Sequence, residues 1–157
     1  MALPVHVPES DPAERWPERG APSAALVVQT AFLGDVVLTT PLIAELARRG
    51  PVDVVVRPDA AALLARNPAI REVVVYDKRG ADAGARGVWR LGARLRDGAR
   101  RRGETTTAYL AQGSVRSALL AVAAGARERV GFETSRMARP LYTRVAPYHA
   151  DRHHAER

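Results

Sequence analysis

The chain has 157 residues, of which 46% are hydrophobic, and it contains no cysteine. This length suits one domain of ordinary size, and the lack of cysteine excludes a disulfide framework, thiolate metal sites and a cysteine nucleophile. The formal net charge of +7 implies anionic partners, such as phosphates, nucleic acid or an acidic membrane surface.

The N-terminal segment, residues 1–22, is rich in proline and acidic side chains and lacks the apolar core of a signal peptide. No apolar run in the chain approaches the roughly 20 residues that cross a bilayer. We therefore predict a disordered, proline-rich leader over residues 1–22 and a cytoplasmic location.

From residue 23 onward, β-branched runs alternate with helical patterns. Strands are predicted at 24–29, 52–56, 72–76, 106–111 and 128–132, and helices at 36–49, 59–66, 86–102 and 114–124. Strands separated by helices favour a parallel sheet. The sequence therefore predicts an α/β fold over residues 23–148, a Rossmann-like parallel sheet with helices on both faces.

The turn between the first strand and the first helix is the most informative segment. It has neither a G-x-G-x-x-G nor a P-loop pattern, but it lies where open α/β sheets bind ligands. Gly34 allows close approach of a ligand to the backbone, and Asp35 stands where the helix is predicted to begin. Spacing alone favours Asp35 as an N-cap, and a carboxylate that faces a cleft is the compatible alternative.

Two threonines precede a proline inside this helix. Pro41 removes an amide donor and crowds the carbonyl of Val37. The hydroxyls of Thr39 and Thr40 are therefore expected either to bond the freed carbonyls or to reach a polar ligand.

A second glycine turn, residues 111–117, repeats this arrangement after the fourth strand. Ser114 is a plausible helix cap, and parallel topology places the turn at the same sheet edge as Asp35. Gln112, Arg116 and Ser117 are expected to face a shared cleft. In a later loop, Arg136 and Arg139 are either phosphate ligands or surface charges.

Arginines are dense on the helix at 86–102, and Lys78 and Arg79 precede it. They form either a solvated face or a surface that attracts anionic lipid or a phosphorylated substrate. Nucleic acid is disfavoured as a partner, because aromatic residues are scarce and no nucleic-acid motif is present. His149, Asp151 and His153 have a spacing that could ligate metal, but a solvated or interdomain helix explains them better.

Four stretches resemble the N-terminal half of the lipopolysaccharide heptosyltransferases, the ADP-heptose-dependent glycosyltransferases of family 9. They are residues 25–41, 52–58, 73–78 and 111–117. The first stretch and the loop after residue 76 are more similar to the type II enzymes, which add the second core heptose. The resemblance implies the N-terminal domain of a two-domain GT-B enzyme, in which Rossmann-like domains face each other across a cleft.

The resemblance also implies roles for individual residues. Asp35 would be the general base, and the backbone at Leu33 and Gly34 would approach the diphosphate of ADP-heptose. The acceptor, a phosphorylated lipid A–Kdo–heptose core at the inner face of the inner membrane, would contact Thr39, Thr40, Lys78, Arg79, Gln112, Arg116, Ser117 and Arg136. Transfer would invert the anomeric carbon and need no tightly bound metal or other cofactor.

The C-terminal, donor-binding domain of such an enzyme has no counterpart in the 157 residues. We expect residues 149–157 to begin the interdomain segment of a truncated enzyme, and the isolated chain to be inactive. The alternative function is a non-catalytic binding module, in which the basic face docks anionic lipid or a protein partner and Asp35 only caps a helix.

Overall fold

A computed structural model describes residues 23–147 of the chain. The predicted leader at 1–22, and the segment 149–157 with His149, Asp151 and His153, lie outside the described residues. The elements are β1 (Ser23–Gln29), α1 (Leu33–Leu38), α2 (Thr40–Ala47), β2 (Val52–Val56), α3 (Pro58–Leu64), β3 (Glu72–Val75), α4 (Gly84–Arg101), β4 (Thr105–Leu110), α5 (Val115–Ala123), β5 (Glu128–Phe132) and β6 (Arg144–Ala146). A short 3-10 turn, Arg139–Leu141, precedes β6.

The strands form one sheet in the order β3-β2-β1-β4-β5-β6, and every neighbouring pair is parallel. This is the order of a doubly wound α/β fold, in which the strand order reverses between β1 and β4. The predicted α/β, Rossmann-like class is confirmed. The reversal brings the loops that follow β1 and β4 together at the carboxyl edge of the sheet.

Helices cover both faces of the sheet, as predicted. One apolar cluster joins Val27 and Val54 to Ile43 and Leu46 beneath α1, α2 and α3. The other joins Leu26, Val28, Leu91 and Leu120 beneath α4 and α5. The central strands are buried on both sides, which is why they read as continuous β-branched runs rather than as alternating patterns.

Helix α4 packs closely against α5. The predicted stripe on α4 is confirmed, since Val88, Leu91 and Ala99 are buried and Leu95 packs against the same cluster. A Cβ atom on Gly92 would overlap the Cβ of Ala123 and lie 2.8 Å from its carbonyl carbon. Glycine at this position therefore sets the distance between the two helices.

Two sequence-based boundaries differ from the structure. Helix is confirmed over most of the predicted range 36–49, but the bounds are wrong, because helix begins at Leu33, ends at Ala47 and breaks at Thr39 into α1 and α2. Pro41, which has no amide hydrogen, prevents one continuous helix across this point. Strand β6, only three residues long, was not predicted, because it is too short to show a period.

A buried ionic network lies at the amino edge of the sheet, opposite the β1 and β4 loops. Arg71 binds both carboxylate oxygens of Asp53, at 2.6 and 2.8 Å, and also binds Glu104 at 2.6 Å. Arg102 adds a 2.8 Å bond to Glu104. Burial raises the pKa of Glu104, but the bonds from Arg71 and Arg102 outweigh burial, so that the pKa lies below its ordinary value of 4.5.

The α4–α5 contact predicts opposite effects for two glycine substitutions on one helix. Gly92→Ala should lower the free energy of unfolding by about 1–3 kcal/mol, because the added methyl group forces the helices apart. Gly98→Ala, whose added atom meets only the flexible end of Arg102, should raise it by up to about 1 kcal/mol. Urea denaturation measures both, and equal effects would contradict the close contact.

The ionic network predicts loss of stability in acid. Glu104 has a lowered folded pKa, so its stabilisation is complete above about pH 4.5 and is lost as pH falls through the folded value. Glu104→Gln should cost about 1–3 kcal/mol at neutral pH and flatten the acid dependence of unfolding. Glu45→Gln is the control, since its exposed pairs with Arg48 and Arg49 contribute little. Parallel pH profiles for the wild type and Glu104→Gln would refute the assignment.

Candidate active site at the carboxyl edge of the sheet

Asp35 lies in the first turn of α1, just beyond the carboxyl end of β1. Phe32 is the N-cap, so Asp35 is the third helical residue, and the prediction that it caps the helix is wrong. Its side chain is partly exposed, and no residue in the range 23–147 gives it a hydrogen bond or an ion pair. The carboxylate therefore keeps its proton-accepting lone pairs free for a ligand.

The backbone of Asp35 is held by a buried amide. Gln29, the last residue of β1, donates from Nε2 to the Thr39 hydroxyl at 3.0 Å and to the Asp35 carbonyl at 3.4 Å. The Thr39 hydroxyl in turn donates to the same carbonyl at 2.7 Å. Since Gln29 and Thr39 are both buried, this network fixes the turn that presents Asp35.

Both threonine hydroxyls donate to backbone carbonyls of α1 beside the helix break. The Thr40 hydroxyl donates to the carbonyl of Val37 at 2.7 Å, which is the carbonyl that Pro41 leaves without a donor. The Thr39 hydroxyl donates instead to the carbonyl of Asp35, which also accepts from the Thr39 amide at 3.1 Å. The expectation that these hydroxyls bond freed carbonyls is therefore confirmed for Thr40 only, and contact of either residue with an acceptor stays a prediction.

The surface around Asp35 is apolar and open. Phe32 is 78% exposed, and Leu33 and Val37 are about half exposed. A Cβ atom on Gly34 would meet nothing within 4 Å. Packing within residues 23–147 thus gives no reason for glycine at position 34, which leaves space beside the backbone for a ligand.

The second glycine turn does meet the first. Gln112 donates from Nε2 to the hydroxyl of Thr30 and to that of Ser117, the latter at 3.2 Å. Ser114 caps α5 by accepting from the Ser117 amide at 3.4 Å, as predicted. The shared edge is therefore confirmed, although Ser117 is almost fully buried, whereas Gln112 is partly exposed and Arg116 is exposed.

Tyr76 belongs to the same edge and was not predicted. Its hydroxyl is buried without a hydrogen-bond partner among residues 23–147. Burial raises its pKa, and the neighbouring Arg116 guanidinium opposes that rise from beyond hydrogen-bonding geometry. Its place at the end of an apolar strand was the only signal, and that signal does not distinguish a site residue from a core residue.

The remaining basic candidates stand on separate loops. Lys78 and Arg79 follow β3 in a turn that Asp77 holds by accepting from the amides of Arg79 and Gly80. Arg136 is exposed in the turn after β5. All three are on the carboxyl-edge side of the sheet, but the structure does not bring them into contact with the Asp35 turn.

Between residues 23 and 147, no group of three or more His, Cys, Asp or Glu side chains could hold a metal ion. In the same range no helix is both long and apolar enough to cross a membrane.

Comparison with known proteins gives similarity of fold. No family model matches the sequence, and no curated protein matches it significantly. Among solved structures, the family 9 glycosyltransferase from Veillonella parvula superposes with TM-score 0.69 and 23% identity, over 82% of this chain and 37% of its own. E. coli heptosyltransferase WaaC with ADP superposes with TM-score 0.65 and 25% identity, over 85% of this chain and 44% of its own. E. coli ADP-heptose lipopolysaccharide heptosyltransferase II superposes with TM-score 0.62 and 24% identity, over 82% of this chain and 36% of its own.

One of these neighbours is a family 9 glycosyltransferase and two are heptosyltransferases, which agrees with the sequence resemblance. The chain spans less than half the length of each of them. What is shared is thus the α/β fold over 82–85% of this chain.

The hydrogen-bond network predicts unequal effects of two similar substitutions. Thr39→Val should lower the free energy of unfolding by about 1–3 kcal/mol, because it takes the nearest acceptor from the buried Gln29 amide. Thr40→Val removes a hydroxyl whose bond is solvent-exposed and should cost less than about 1 kcal/mol. Urea denaturation compares them, and equal losses would show that the Gln29 network does not hold the turn.

Proposed function

We propose that this chain is the acceptor-binding half of an inverting glycosyltransferase, which transfers heptose from ADP-heptose to the phosphorylated inner core of lipopolysaccharide. The observation that carries the proposal is the Asp35 carboxylate. It stands at the carboxyl edge of a doubly wound sheet, on a turn held by buried hydrogen bonds, and has no partner of its own among residues 23–147.

Asp35 would act as the general base. As the acceptor hydroxyl oxygen attacks the anomeric carbon of heptose, its proton passes to the carboxylate, the bond from that carbon to the diphosphate breaks, and ADP leaves from the opposite face. The product therefore has the inverted configuration. A base in this role needs free lone pairs and a fixed position, and the Gln29 network would supply the second of these.

The donor would approach the turn at Leu33 and Gly34. Leu33 is exposed, and the space beside Gly34 is open. A diphosphate could thus come close to the backbone without displacing a side chain. In the neighbouring structures of WaaC the bound molecules are ADP and a fluorinated ADP-heptose, which supports a nucleotide-sugar donor for this chain also.

The acceptor phosphates would meet the basic side chains of the carboxyl-edge loops. Arginine suits this role, because its planar guanidinium binds phosphate through two parallel hydrogen bonds. The basic candidates are Lys78, Arg79, Arg116 and Arg136, and Gln112 is an uncharged candidate. Thr39, Thr40 and Ser117, which are engaged in hydrogen bonds within the fold, would act mainly by holding the two turns in place.

The second candidate function is a non-catalytic binding module with a basic docking face. The capping contact that this reading assigns to Asp35 is missing, since Phe32 is the N-cap of α1. A module without chemistry also gives no reason for an unpartnered carboxylate at this edge. We therefore favour glycosyl transfer.

Asp35→Asn separates these functions in a complete enzyme, in which this chain is joined to the donor-binding domain of a heptosyltransferase. The amide keeps the shape of the side chain but accepts no proton at the reacting atom, so turnover should fall by about 100- to 10,000-fold. Product mass spectrometry with ADP-heptose and phosphorylated acceptor measures the rate, and urea denaturation verifies the fold. The 157-residue chain alone should give no product.

Glu45→Asn is the matched control, since it removes an exposed carboxylate on the neighbouring helix and should leave turnover unchanged. Normal turnover by a folded Asp35→Asn variant would overturn the general-base role. Transfer by the unaided chain would overturn the proposal that it provides only the acceptor half.

A further inference from the structure

Phe32 lies in the turn that presents Asp35 and takes no part in the core of the described residues. Its side chain is 78% exposed, and it belongs to neither of the two apolar clusters. The chain has only two phenylalanines, and this one stands in solvent at the candidate site. Together with the exposed side chains of Leu33 and Val37, it gives the surface beside the carboxylate an apolar character that is typical of a ligand-binding site.

Phe32 also occupies a position for which phenylalanine is poorly suited. It is the N-cap of α1, with φ −72° and ψ 161°, and its side chain makes no capping hydrogen bond. Serine, threonine, asparagine and aspartate adopt this extended backbone at N-caps, and each would accept a hydrogen bond from a first-turn amide. The helix therefore lacks a stabilising cap because position 32 is Phe. A local rule that is broken without a gain in packing is expected at a functional site.

The ring of Phe32 and the carboxylate of Asp35 are neighbours at one end of α1. Asp35 is the third helical residue, and the side chains at the N-cap and third positions lie on the same side of a helix start, as a capping box shows. Gly34 adds no side chain between them, and a Cβ atom there would meet nothing within 4 Å. One ligand can therefore contact the flat ring and the carboxylate together.

A sugar ring has the chemistry that this pair of groups would recognise. A pyranose presents C–H groups on a face of its ring, which can pack flat on an aromatic side chain, whereas equatorial hydroxyls project from its edge. Binding sites commonly combine such apolar contacts with a few polar groups that fix the orientation of the ligand. A sugar that lies on Phe32 would direct an edge hydroxyl toward Asp35, at the distance of about 2.6–3.2 Å that proton abstraction requires.

We propose that Phe32 determines specificity for the acceptor, as an aromatic platform on which the sugar that bears the attacking hydroxyl lies flat beside Asp35. This role rests on the proposed glycosyl transfer and adds the residue that orients the acceptor sugar. The other two rings of the reaction fit less well. The donor heptose is further from the carboxylate, because the acceptor oxygen lies between them, and the adenine lies beyond the diphosphate.

Substitutions of Phe32 in the complete enzyme test this role when donor and acceptor are varied separately. Phe32→Leu keeps an apolar side chain but removes the flat ring, so KM for the phosphorylated acceptor should rise about 10-fold and KM for ADP-heptose should change less than twofold. Tenfold corresponds to about 1.4 kcal/mol, which is within the range for bases stacked on aromatic side chains. Phe32→Tyr keeps the ring and should stay within threefold of the wild type for both substrates.

Trp89→Leu is the matched control, because it removes a half-exposed aromatic ring from α4 and should leave both KM values unchanged. A rise in KM for ADP-heptose alone would assign the ring of Phe32 to the donor. An unchanged acceptor KM in Phe32→Leu would show that the ring has no role in acceptor binding. Either result would overturn the proposal.

Calorimetric titration with a lipid-free, phosphorylated acceptor separates this role from the proposed reaction. In the Asp35→Asn background, Phe32→Leu should still weaken binding about 10-fold, since stacking requires no proton transfer. Equal affinity with and without the ring would overturn the role of Phe32 and leave the proposed transfer standing. A complete enzyme that binds no acceptor would overturn both proposals.

The stability of the 157-residue chain provides a further test that does not depend on any ligand. Phe32→Ser should raise the urea midpoint of unfolding, because serine supplies the missing cap of α1. In the complete enzyme the same substitution should raise the acceptor KM about 10-fold, so that stability and acceptor binding change in opposite directions. A lower urea midpoint would show that Phe32 serves packing, and would overturn its assignment as a residue kept for the acceptor.

Discussion

The candidate site depends on one buried amide, the side chain of Gln29. It sits at the last position of β1, where pairing with Val56 fixes the backbone, and it must find partners because an unpaired buried amide costs several kcal/mol. The Thr39 hydroxyl and the Asp35 carbonyl satisfy its donor group, and the Ala31 amide satisfies its acceptor. These bonds hold the backbone of the turn that presents Asp35, and Pro41 prevents a continuous helix beyond it.

The carboxylates at the two edges of the sheet have different surroundings. At the amino edge Asp53 and Glu104 are buried and fully engaged by Arg71 and Arg102, an arrangement that serves stability. At the carboxyl edge Asp35 has no such partner within residues 23–147. In a chain with many arginines, a carboxylate kept apart from all of them is more readily explained by a ligand than by folding. This contrast is the physical argument for function, and the similarity of fold to heptosyltransferases agrees with it.

The sequence predicted the sheet well because its strands are buried on both faces and are bounded by glycine and proline. It predicted the shared edge of the Asp35 and Gln112 turns from topology alone. The start of α1 was predicted wrongly, since spacing favours Asp35 as the cap, whereas the helix begins at Leu33 after Phe32, which makes no side-chain cap. The bond from Gln112 to Thr30 joins residues 82 positions apart, and no local pattern carries such a contact. Tyr76 was missed for the same reason, because its meeting with Arg116 exists only in the folded chain.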